Sequence, residues 1–352
     1  MIRFFTFAVK TQLNVHDLNN EAVAGNVQDI RIMEYLDEEG NRQEAPAVSG
    51  RMLKHWHYEA MRRLIINGNY SDLPLCDGCR AGEPIRPGKV ENNIVKQDIL
   101  DEQNAINNCT ICDIHGYLIA KEGTKRSKEE GGDEAGVSAR RSSRVMFSWL
   151  MPVLDSETVS RQVLHTRVSQ QQSETGKGVK DKEKKSGQQT QTSTSSPESG
   201  NSGNVGGEES AQMLYNKSYA SGIYAFVSAF DAARVGLVEL ELGSSGAEQK
   251  PKDLPNRIRT AIEAYRYLIS GQMGASLSHA LPHMNPRELL VCYSESGPLP
   301  FPVSPMYSDY ITRTVGLMPE HAEKLYWGND APEGVNRMNS IDEIFRQLLA
   351  KV

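Results

Sequence analysis

The polar segment from residue 169 to 210 constrains the fold of this 352-residue chain more than any other feature. Val179 and Val205 are its only aliphatic residues. Such a segment cannot bury enough apolar surface to offset the entropy lost on ordering, so we expect it to be disordered in isolation. Lys121 to Arg140 alternates charges with glycine and is expected to be a second mobile loop. Strand-like sequence flanks both segments, so they interrupt one folded core and do not separate domains.

Hydrophobic periodicity in the rest of the chain predicts an α+β fold. Strand, helix, strand, strand, helix, strand is the order of a modified ferredoxin-like or RRM-like sheet with long insertions. The predicted strands are Arg3–Val15, its partner Val27–Tyr35 with a turn at 37–41, Arg141–Val153, Tyr219–Leu242 and Glu288–Tyr293. The predicted helices follow Ser49, span Pro255–Gly271 with Ile258, Ile262 and Tyr265 toward the core, and span Ile341–Leu349.

The helix that follows Ser49 combines an apolar face with a cationic face. Helical spacing places Leu53, Trp56, Ala60 and Leu64 on the first face, and Arg51, Lys54, His55, Tyr58 and Arg62 on the second. Free backbone N–H groups beside Ser49 and Gly50, with Lys54 and His55 one turn further on, favour binding of an anion such as phosphate. The alternative is an ordinary capped helix on the surface.

Two CxxC pairs, Cys76 with Cys79 and Cys109 with Cys112, lie about thirty residues apart. Each pair can direct two thiolates at one tetrahedral ion, and sulfur ligands favour zinc. Four cysteines would saturate the ion, so this predicts a structural site; the alternative is two ordinary reduced pairs. His115 is close enough to replace one cysteine, although a structural or RNA-facing role suits it better. Cys292 is predicted to be a core residue.

The charge balance excludes a protein that coats nucleic acid indiscriminately. There are 39 lysine and arginine residues against 45 aspartate and glutamate residues, a formal charge of -6, so nucleic-acid binding must depend on local patches.

The apolar run from Phe4 to Val9 has the length of a strand and is closed by Lys10. We therefore expect neither a membrane span nor a signal peptide, and we expect a cytoplasmic protein with reduced thiols.

Five sequence blocks carry a resemblance to a known family. They are LNVHDLNNEAVAGN, PAVSGRMLKHWHYEAM, CDIHGYLIA, HTRV and MLYNKSYASGIYAF, and the matching regions extend from about residue 2 to residue 310. Together they resemble the DevR/Csa-type backbone subunit of CRISPR type I Cascade complexes, closest to the type I-A form, in the RAMP superfamily of RNA-binding proteins. The cysteine pairs are not a general feature of that group, so the zinc prediction rests on their spacing alone.

The resemblance implies a non-catalytic subunit that polymerises along a CRISPR guide RNA and presents the guide for pairing with target DNA. Its partners would be the guide RNA, copies of itself and other Cascade subunits, in antiviral defence. The implied architecture is an RRM-like palm with a helical finger insertion and an extended thumb loop. Carried onto this chain, the palm comprises residues 1–65, 141–163 and 218–352, the fingers 66–140, and the thumb 164–217.

The resemblance also implies which residues contact the RNA. Asn19 and Asn20 are candidates, with a plain turn as the alternative. The other implied contacts lie at the helix start (Ser49, Gly50, Arg51, Lys54, His55), at the thumb root (His165, Arg167) and in a second glycine-containing loop (Gln272, Gly274, Ser276, Ser278, His279).

An RNA-cleaving enzyme is the alternative function. Related type III backbone subunits cut target RNA with an aspartate in a loop near the first strand, and Asp17 is the matching candidate here. An aspartate needs a metal or positioned partners to catalyse hydrolysis, and the sequence blocks favour the type I form.

Overall fold

The computed structural model describes residues 1–15, 18, 23–24, 27–28, 30–98, 100–120, 138–167, 213–239, 250–270 and 281–352. The chain is a mixed α+β fold. Its strands are β1 (Phe4–Asn14), β2 (Val23–Ala24), β3 (Val27–Gln28), β4 (Ile32–Leu36), β5 (Arg42–Pro46), β6 (Gly88–Glu91), β7 (Ile94–Gln97), β8 (Tyr117–Ala120), β9 (Ser138–Arg141), β10 (Val145–Phe147), β11 (Met151–Pro152), β12 (Val159–Arg167), β13 (Met213–Phe230), β14 (Met284–Ser294), β15 (Glu323–Trp327) and β16 (Asn336–Arg337). Its helices are α1 (Gly50–Asn67), α2 (Asp77–Ala81), α3 (Glu102–Asn108), α4 (Thr110–His115), α5 (Leu254–Ile269), α6 (Tyr310–Leu317) and α7 (Ile341–Ala350).

A central mixed sheet organises the molecule, with the strand order β16-β15-β14-β1-β13-β3-β2. The long strand β13 pairs with β1 along one edge, and the short strands β10, β11 and β12 pair with it as well. The β12–β13 ladder is antiparallel and runs from the pair Val159 and Ser221 to the pair Arg167 and Met213. Parallel pairing occurs between β13 and β3 and between β15 and β16.

Alternation along the central strands gives the sheet two buried faces, because successive side chains point to opposite sides. On β1, Phe5, Phe7 and Val9 pack into the larger core under α1, α5 and α7. Phe4 and Ala8 point the other way, into a second core closed by α6 and by the segments around it. The aromatic side chains of β1 are therefore buried on both sides of the sheet, Phe4 on one side and Phe5 and Phe7 on the other.

Most of the helix predictions are confirmed. Helix α1 begins after the predicted cap Ser49, α5 covers the predicted span with Ile258, Ile262 and Tyr265 buried, and α7 matches the expected terminal helix. Strand β14 contains the predicted buried run, and Cys292 is 1% exposed.

The predicted pairing of Val27–Tyr35 with the first strand is wrong. β1 lies between β13 and β14, whereas β4 forms a separate hairpin with β5 around the predicted turn. The expected strand Arg141–Val153 is also divided, into the end of β9, β10 and β11. Residues 138–140, assigned to a mobile loop, form β9 with Arg141 and pair with β8; residues 121–137 and 169–210 lie outside the described residues.

Among the described helices, none has both the length and the apolar composition required to cross a membrane.

Candidate nucleic-acid interface and metal centre

The start of α1 is fixed by side-chain capping and by strand pairing. The Ser49 hydroxyl oxygen accepts a hydrogen bond from the Met52 amide at 3.3 Å, which satisfies one free N–H of the first turn. Val48 exchanges two backbone hydrogen bonds with Leu150. A Cβ at Gly50 would lie 2.5 Å from the Phe147 carbonyl oxygen, so this glycine permits close packing on β10. The geometry gives Ser49 and Gly50 structural roles, and their contact with RNA stays a prediction.

A cavity of about 460 Å³ lies beside this helix start. Its lining is strongly basic, with Glu83 as the only carboxylate residue among the described residues that form it. Four of the lining residues come from the predicted cationic face, and the others come from the segment between the two cysteine pairs and from the end of α4. The basic and aromatic lining residues are Arg51, Lys54, His55, Tyr58, Arg86 and His115.

Three cations of this cavity have no carboxylate partner in the part of the chain that the structure describes. Among the described residues, no ion pair is formed by Arg51, Lys54 or Arg86. Burial, reinforced by the charge of Arg86, lowers the pKa of Lys54 to about 8. Burial also lowers the pKa of His55. An anion bound here would relieve the repulsion between Lys54 and Arg86.

The cationic face is narrower than the sequence indicates. Arg62 pairs with Glu59 at 3.0 Å and donates a hydrogen bond to the Arg80 carbonyl oxygen. Tyr58 is 5% exposed, and its hydroxyl group donates to the Cys79 carbonyl oxygen. The buried residues of α1 are Leu53, His57, Tyr58, Met61 and Ile65. The other predicted apolar residues, Trp56, Ala60 and Leu64, are partly buried and pack against the same core.

A buried histidine pair separates the cavity from the core. His57 Nε2–H donates a hydrogen bond to the Ala261 carbonyl oxygen at 3.0 Å, because a carbonyl oxygen can only accept. This leaves His57 Nδ1 as the acceptor for His115 Nε2–H at 3.0 Å. Burial lowers the pKa of His57 to about 3 and that of His115 well below the ordinary value. Both rings are therefore neutral at physiological pH, and His115 has a structural position at the cavity wall.

The four predicted cysteine ligands come together in one cluster. All four Sγ atoms lie within 4.8 Å of one another, with Cys76 and Cys112 at 3.8 Å and Cys79 and Cys112 at 3.9 Å. Tetrahedral zinc with Zn–S bonds of about 2.3 Å requires S–S separations of roughly 3.8 Å, so the arrangement can hold a metal. The hydrogen bond with Cys109 lowers the pKa of Cys76 and raises those of Cys79 and Cys112.

Backbone N–H groups support the sulfur atoms of the cluster. The Cys112 amide donates to Cys109 Sγ at 3.3 Å, and the Gly88 amide donates to Cys76 Sγ at 3.5 Å. A hydrogen bond from the Thr110 amide to the Pro74 carbonyl oxygen joins the second cysteine pair to the residues just before the first pair. His115 lies in the histidine pair and is not one of the clustered ligands.

A buried ion network attaches the cysteine segment to the rest of the fold. Asp113, directly after Cys112, is fully buried and accepts hydrogen bonds from Arg141, from Arg257 at 3.0 Å and from the Gly236 amide. Arg141 also pairs with Glu102. These contacts fix α3 and α4 against α5 and the segment after β13.

The other predicted RNA contacts do not line the cavity in the part of the chain that the structure describes. His165 and Arg167 lie on β12, opposite Tyr215 and Met213 of β13. The remaining predicted site residues lie outside the described residues, and so does the alternative catalytic residue; they are Asn19, Asn20, Gln272, Gly274, Ser276, Ser278, His279 and Asp17.

Arg86 is the cavity residue that sequence reasoning missed. Its guanidinium lies over the Tyr58 ring, 5.3 Å from the centroid, and its Nη1 atom is buried without a hydrogen-bond partner among the described residues. The local sequence around Arg86 carries no anion-binding pattern. The available signal was its position between the two cysteine pairs, which fold back onto α1.

Comparison with known proteins gives consistent matches over most of the chain. A family model described as CRISPR-associated negative auto-regulator DevR/Csa2 matches residues 7–315. A protein of Methanocaldococcus jannaschii named CRISPR-associated protein Cas7/Cst2/DevR is 26% identical over 368 residues, covering 99% of this chain and 100% of that protein. A protein of Thermoproteus tenax with the same name is 26% identical over 332 residues, covering 89% and 84%.

The fold also resembles that of solved structures. A chain of a structure described as a CRISPR RNA-guided surveillance complex superimposes with a TM-score of 0.50 and 12% identity, covering 99% of each chain. A pre-nicking form of such a complex gives the same TM-score with 10% identity.

Proposed function

The chain belongs to the DevR/Csa2 family of CRISPR-associated proteins, and on that basis we propose that it is the guide-RNA-binding backbone subunit of a type I Cascade complex in antiviral defence. Copies of the chain would polymerise along the guide RNA together with other Cascade subunits. The bases of the guide would then pair with target DNA, so that base pairing and not the protein reads sequence.

The cationic cavity beside α1 is the observation that carries this proposal. Arg51, Lys54 and Arg86 line it without a carboxylate partner among the described residues. Cations held together without counter-charges attract phosphate, and a phosphodiester contact is independent of base identity. In the proposed mechanism the cavity holds the RNA backbone and leaves the bases facing outward.

The covered sheet also favours backbone binding. In an RRM, aromatic residues on an open sheet face stack against bases. Here α6 and its neighbouring segments cover one face, while α1, α5 and α7 cover the other. We therefore assign RNA contacts to the helix start, to loops and to the end of β12: besides the cavity residues, these are Asn19, Asn20, His165 and Arg167 of β12, and the loop carrying Gln272, Gly274, Ser276, Ser278 and His279.

The proposed domain division follows the family architecture. Residues 1–65, 141–163 and 218–352 would form the RRM-like palm, residues 66–140 the fingers, and residues 164–217 the thumb. The fingers would contain α2, α3, α4 and the β6–β7 hairpin, and the thumb would extend from the β12–β13 ladder. Helix α1 continues two residues past the first palm boundary, to Asn67.

Zinc is the metal we propose for the cysteine cluster. Four thiolates at these separations match the ligand type and geometry that zinc prefers, and they leave no coordination position open for catalysis. The site would thus stabilise the fingers in the reducing cytoplasm. We expect elemental analysis to find one zinc ion per chain. The proposal would be contradicted if the protein, prepared with zinc in the medium, contained none.

The direct test of RNA binding is the double substitution Lys54→Ala with His55→Ala. We expect guide-RNA affinity to fall about tenfold, equivalent to roughly 1.4 kcal/mol, and to fall equally for spacers of different sequence. Lys89→Ala is the matched control, because Lys89 is exposed on the β6–β7 hairpin and pairs with Glu91. Unchanged affinity, or a loss limited to particular spacers, would contradict the proposed backbone contact.

We further propose that the subunit performs no chemistry itself. Incubation of assembled complex with complementary RNA and Mg²⁺ should leave the RNA intact. Site-specific cuts that are abolished by Asp17→Ala would instead establish the type III-like activity.

A further inference from the structure

We propose that metal binding at the four cysteines controls RNA-backbone binding at the cationic cavity, because the metal positions the wall that carries Arg86. This inference rests on the proposed function and adds a coupling between its metal centre and its RNA site. The wall segment is defined as residues 82–86, and four of its five residues line the cavity: Gly82, Glu83, Pro84 and Arg86.

Hydrogen bonds hold the chain to the first cysteine turn, residues 76–81, at the start of the wall segment and again two residues after its end. The Gly82 amide donates to the Cys79 carbonyl oxygen at 3.3 Å, and the Glu83 amide donates to the Gly78 carbonyl oxygen at 3.0 Å. Beyond the segment, the Gly88 amide donates to Cys76 Sγ. A thiolate bound to zinc is held in place and accepts such a hydrogen bond more strongly than a thiol does. The metal therefore anchors both ends of the segment.

Close backbone packing makes the wall segment sensitive to the position of the cysteine turn. A Cβ at Gly78 would lie 2.3 Å from the Ile85 carbonyl oxygen, so the two backbones are in direct contact. Gly88 packs against Gly78 in the same way, with the Gly78 Cα 2.9 Å from its Cβ position. Movement of the cysteine turn would shift Ile85 and the adjacent Arg86.

The second cysteine pair contributes to the opposite side of the same cavity. Cys112 belongs to α4, which ends at the cavity-lining residue His115. His115 is fixed in turn by its hydrogen bond to His57 of α1. A metal that joins Cys76 and Cys79 to Cys109 and Cys112 therefore joins the wall segment to the elements that already face it.

Arg86 is the residue of the wall segment that is positioned to bind an anion. Its guanidinium lies over Tyr58, and the Tyr58 hydroxyl donates to the Cys79 carbonyl oxygen, within the first cysteine turn. The buried Nη1 atom has no partner among the described residues. A stacked guanidinium with an unused donor, in the same basic lining as Lys54, suits an oxygen of a phosphodiester.

The experiment measures binding of full-length protein to an unstructured single-stranded RNA of guide length at several salt concentrations. Zinc-loaded and chelator-treated samples are compared for the wild type, for Arg86→Gln and for Arg80→Gln. Arg80 is the matched control, since it is exposed on the same cysteine turn and does not line the cavity. A readout of the salt dependence reports the number of phosphate contacts, which a general loss of stability does not set.

We expect Arg86→Gln to weaken binding about tenfold and to reduce the slope of log affinity against log salt by about 0.7, one phosphate contact on a single strand. Zinc removal from the wild type should produce the same two changes. Zinc removal from Arg86→Gln should add less than about twofold, because the contact is already lost. Arg80→Gln should match the wild type with and without zinc.

Equal effects of zinc removal on wild type and Arg86→Gln would overturn the coupling, as would a wild-type affinity that is insensitive to zinc. Hydrogen exchange separates local from global change: zinc removal should speed exchange of the Gly88 amide and leave the core strand β14 protected. Loss of protection in β14 as well would also overturn the local coupling. Cys76→Ser, which retains three ligands, repeats the comparison if chelated protein precipitates, with the same outcomes deciding.

The outcomes also separate this inference from the proposed function. If zinc-loaded wild type binds no RNA, both fail. If it binds RNA and depends on Lys54 but not on Arg86 or zinc, the proposed function stands and the coupling alone fails.

Discussion

Two arginine-rich regions of the molecule differ in whether their positive charges are paired with carboxylates. In the buried network, Arg141 and Arg257 share the carboxylate of Asp113, and all three side chains are at most 1% exposed. In the cavity, Arg51 and Arg86 have no carboxylate partner among the described residues. The first region satisfies its cations internally, whereas the second leaves them for a ligand.

The difference follows from the cost of burying charge. A guanidinium that is fully removed from water must be paired and hydrogen-bonded, so the network is a structural joint. A cation at a cavity that opens to solvent keeps part of its hydration and can remain unpaired until an anion binds. The lowered pKa of Lys54 marks this second situation, because burial and Arg86 both disfavour its charged form.

The largest expected effect is that of Asp113→Asn, which disrupts the buried network. The substitution keeps the shape of the side chain but removes the carboxylate that Arg141 and Arg257 share, which among the described residues leaves Arg141 paired only with Glu102 and Arg257 only with Asp253. We expect the free energy of unfolding to fall by about 3–5 kcal/mol, measured by denaturant titration at pH 7.

The control for that measurement is Asp309→Asn, which removes an exposed partner of Arg313. The expected change is below about 0.5 kcal/mol, as for other exposed ion pairs. A loss of less than about 1 kcal/mol for Asp113→Asn would mean that the network does not support the fold.

The pH dependence of RNA binding tests the cavity, because it should follow the charge of Lys54. Lys54 has a lowered pKa of about 8 in the free protein, so its charge is present below that pH and is lost above it. A bound phosphate favours the charged form and raises this pKa, so binding takes up a proton. RNA affinity should therefore fall about tenfold between pH 7.5 and 9.

Lys54→Arg is the control, because an arginine remains charged throughout this range and should flatten the profile. Three other lining groups are shifted away from this window: burial raises the pKa of Tyr58 and lowers those of His55 and His115. An unchanged pH profile in Lys54→Arg would show that another group is responsible.

The smallest expected effect comes from comparing two arginines of α1. Arg51 forms no ion pair among the described residues, whereas Arg63 pairs with Glu59. Arg51→Gln should reduce the salt slope of RNA binding by about 0.7 and the affinity several-fold. Arg63→Gln should change neither, because Arg63 pairs with Glu59 and lies outside the cavity lining. Equal slopes for the two variants would remove Arg51 from the RNA site.

Local patterns predicted the elements whose determinants lie close together in the chain. Ser49 as a helix cap, the buried face of α5 and the gathering of Cys76, Cys79, Cys109 and Cys112 are visible in residue types and spacings. Each depends on hydrogen bonds, periodicity or ligand chemistry that neighbouring residues supply.

Predictions that required pairing between distant segments were less successful. Val27–Tyr35 has the composition of a strand, yet β1 instead pairs with β13 and β14, because alternation indicates a strand without identifying its partner. The burial of two polar residues of α1 is not predicted for a similar reason. Tyr58 and His57 are buried by contacts with Cys79 and Ala261, which no local pattern reveals.

The sequence by itself determined the family, the helix start with Lys54 and His55, and the four cysteines, since these rest on local order and chemistry. Only the tertiary structure decided which cations remain available. It paired Arg62 with Glu59, placed Arg141 and Arg257 against Asp113, and brought Arg86 to the cavity. The physical reason is that the effect of a charge depends on its neighbours and its hydration, and both are set by segments that meet only in the folded chain.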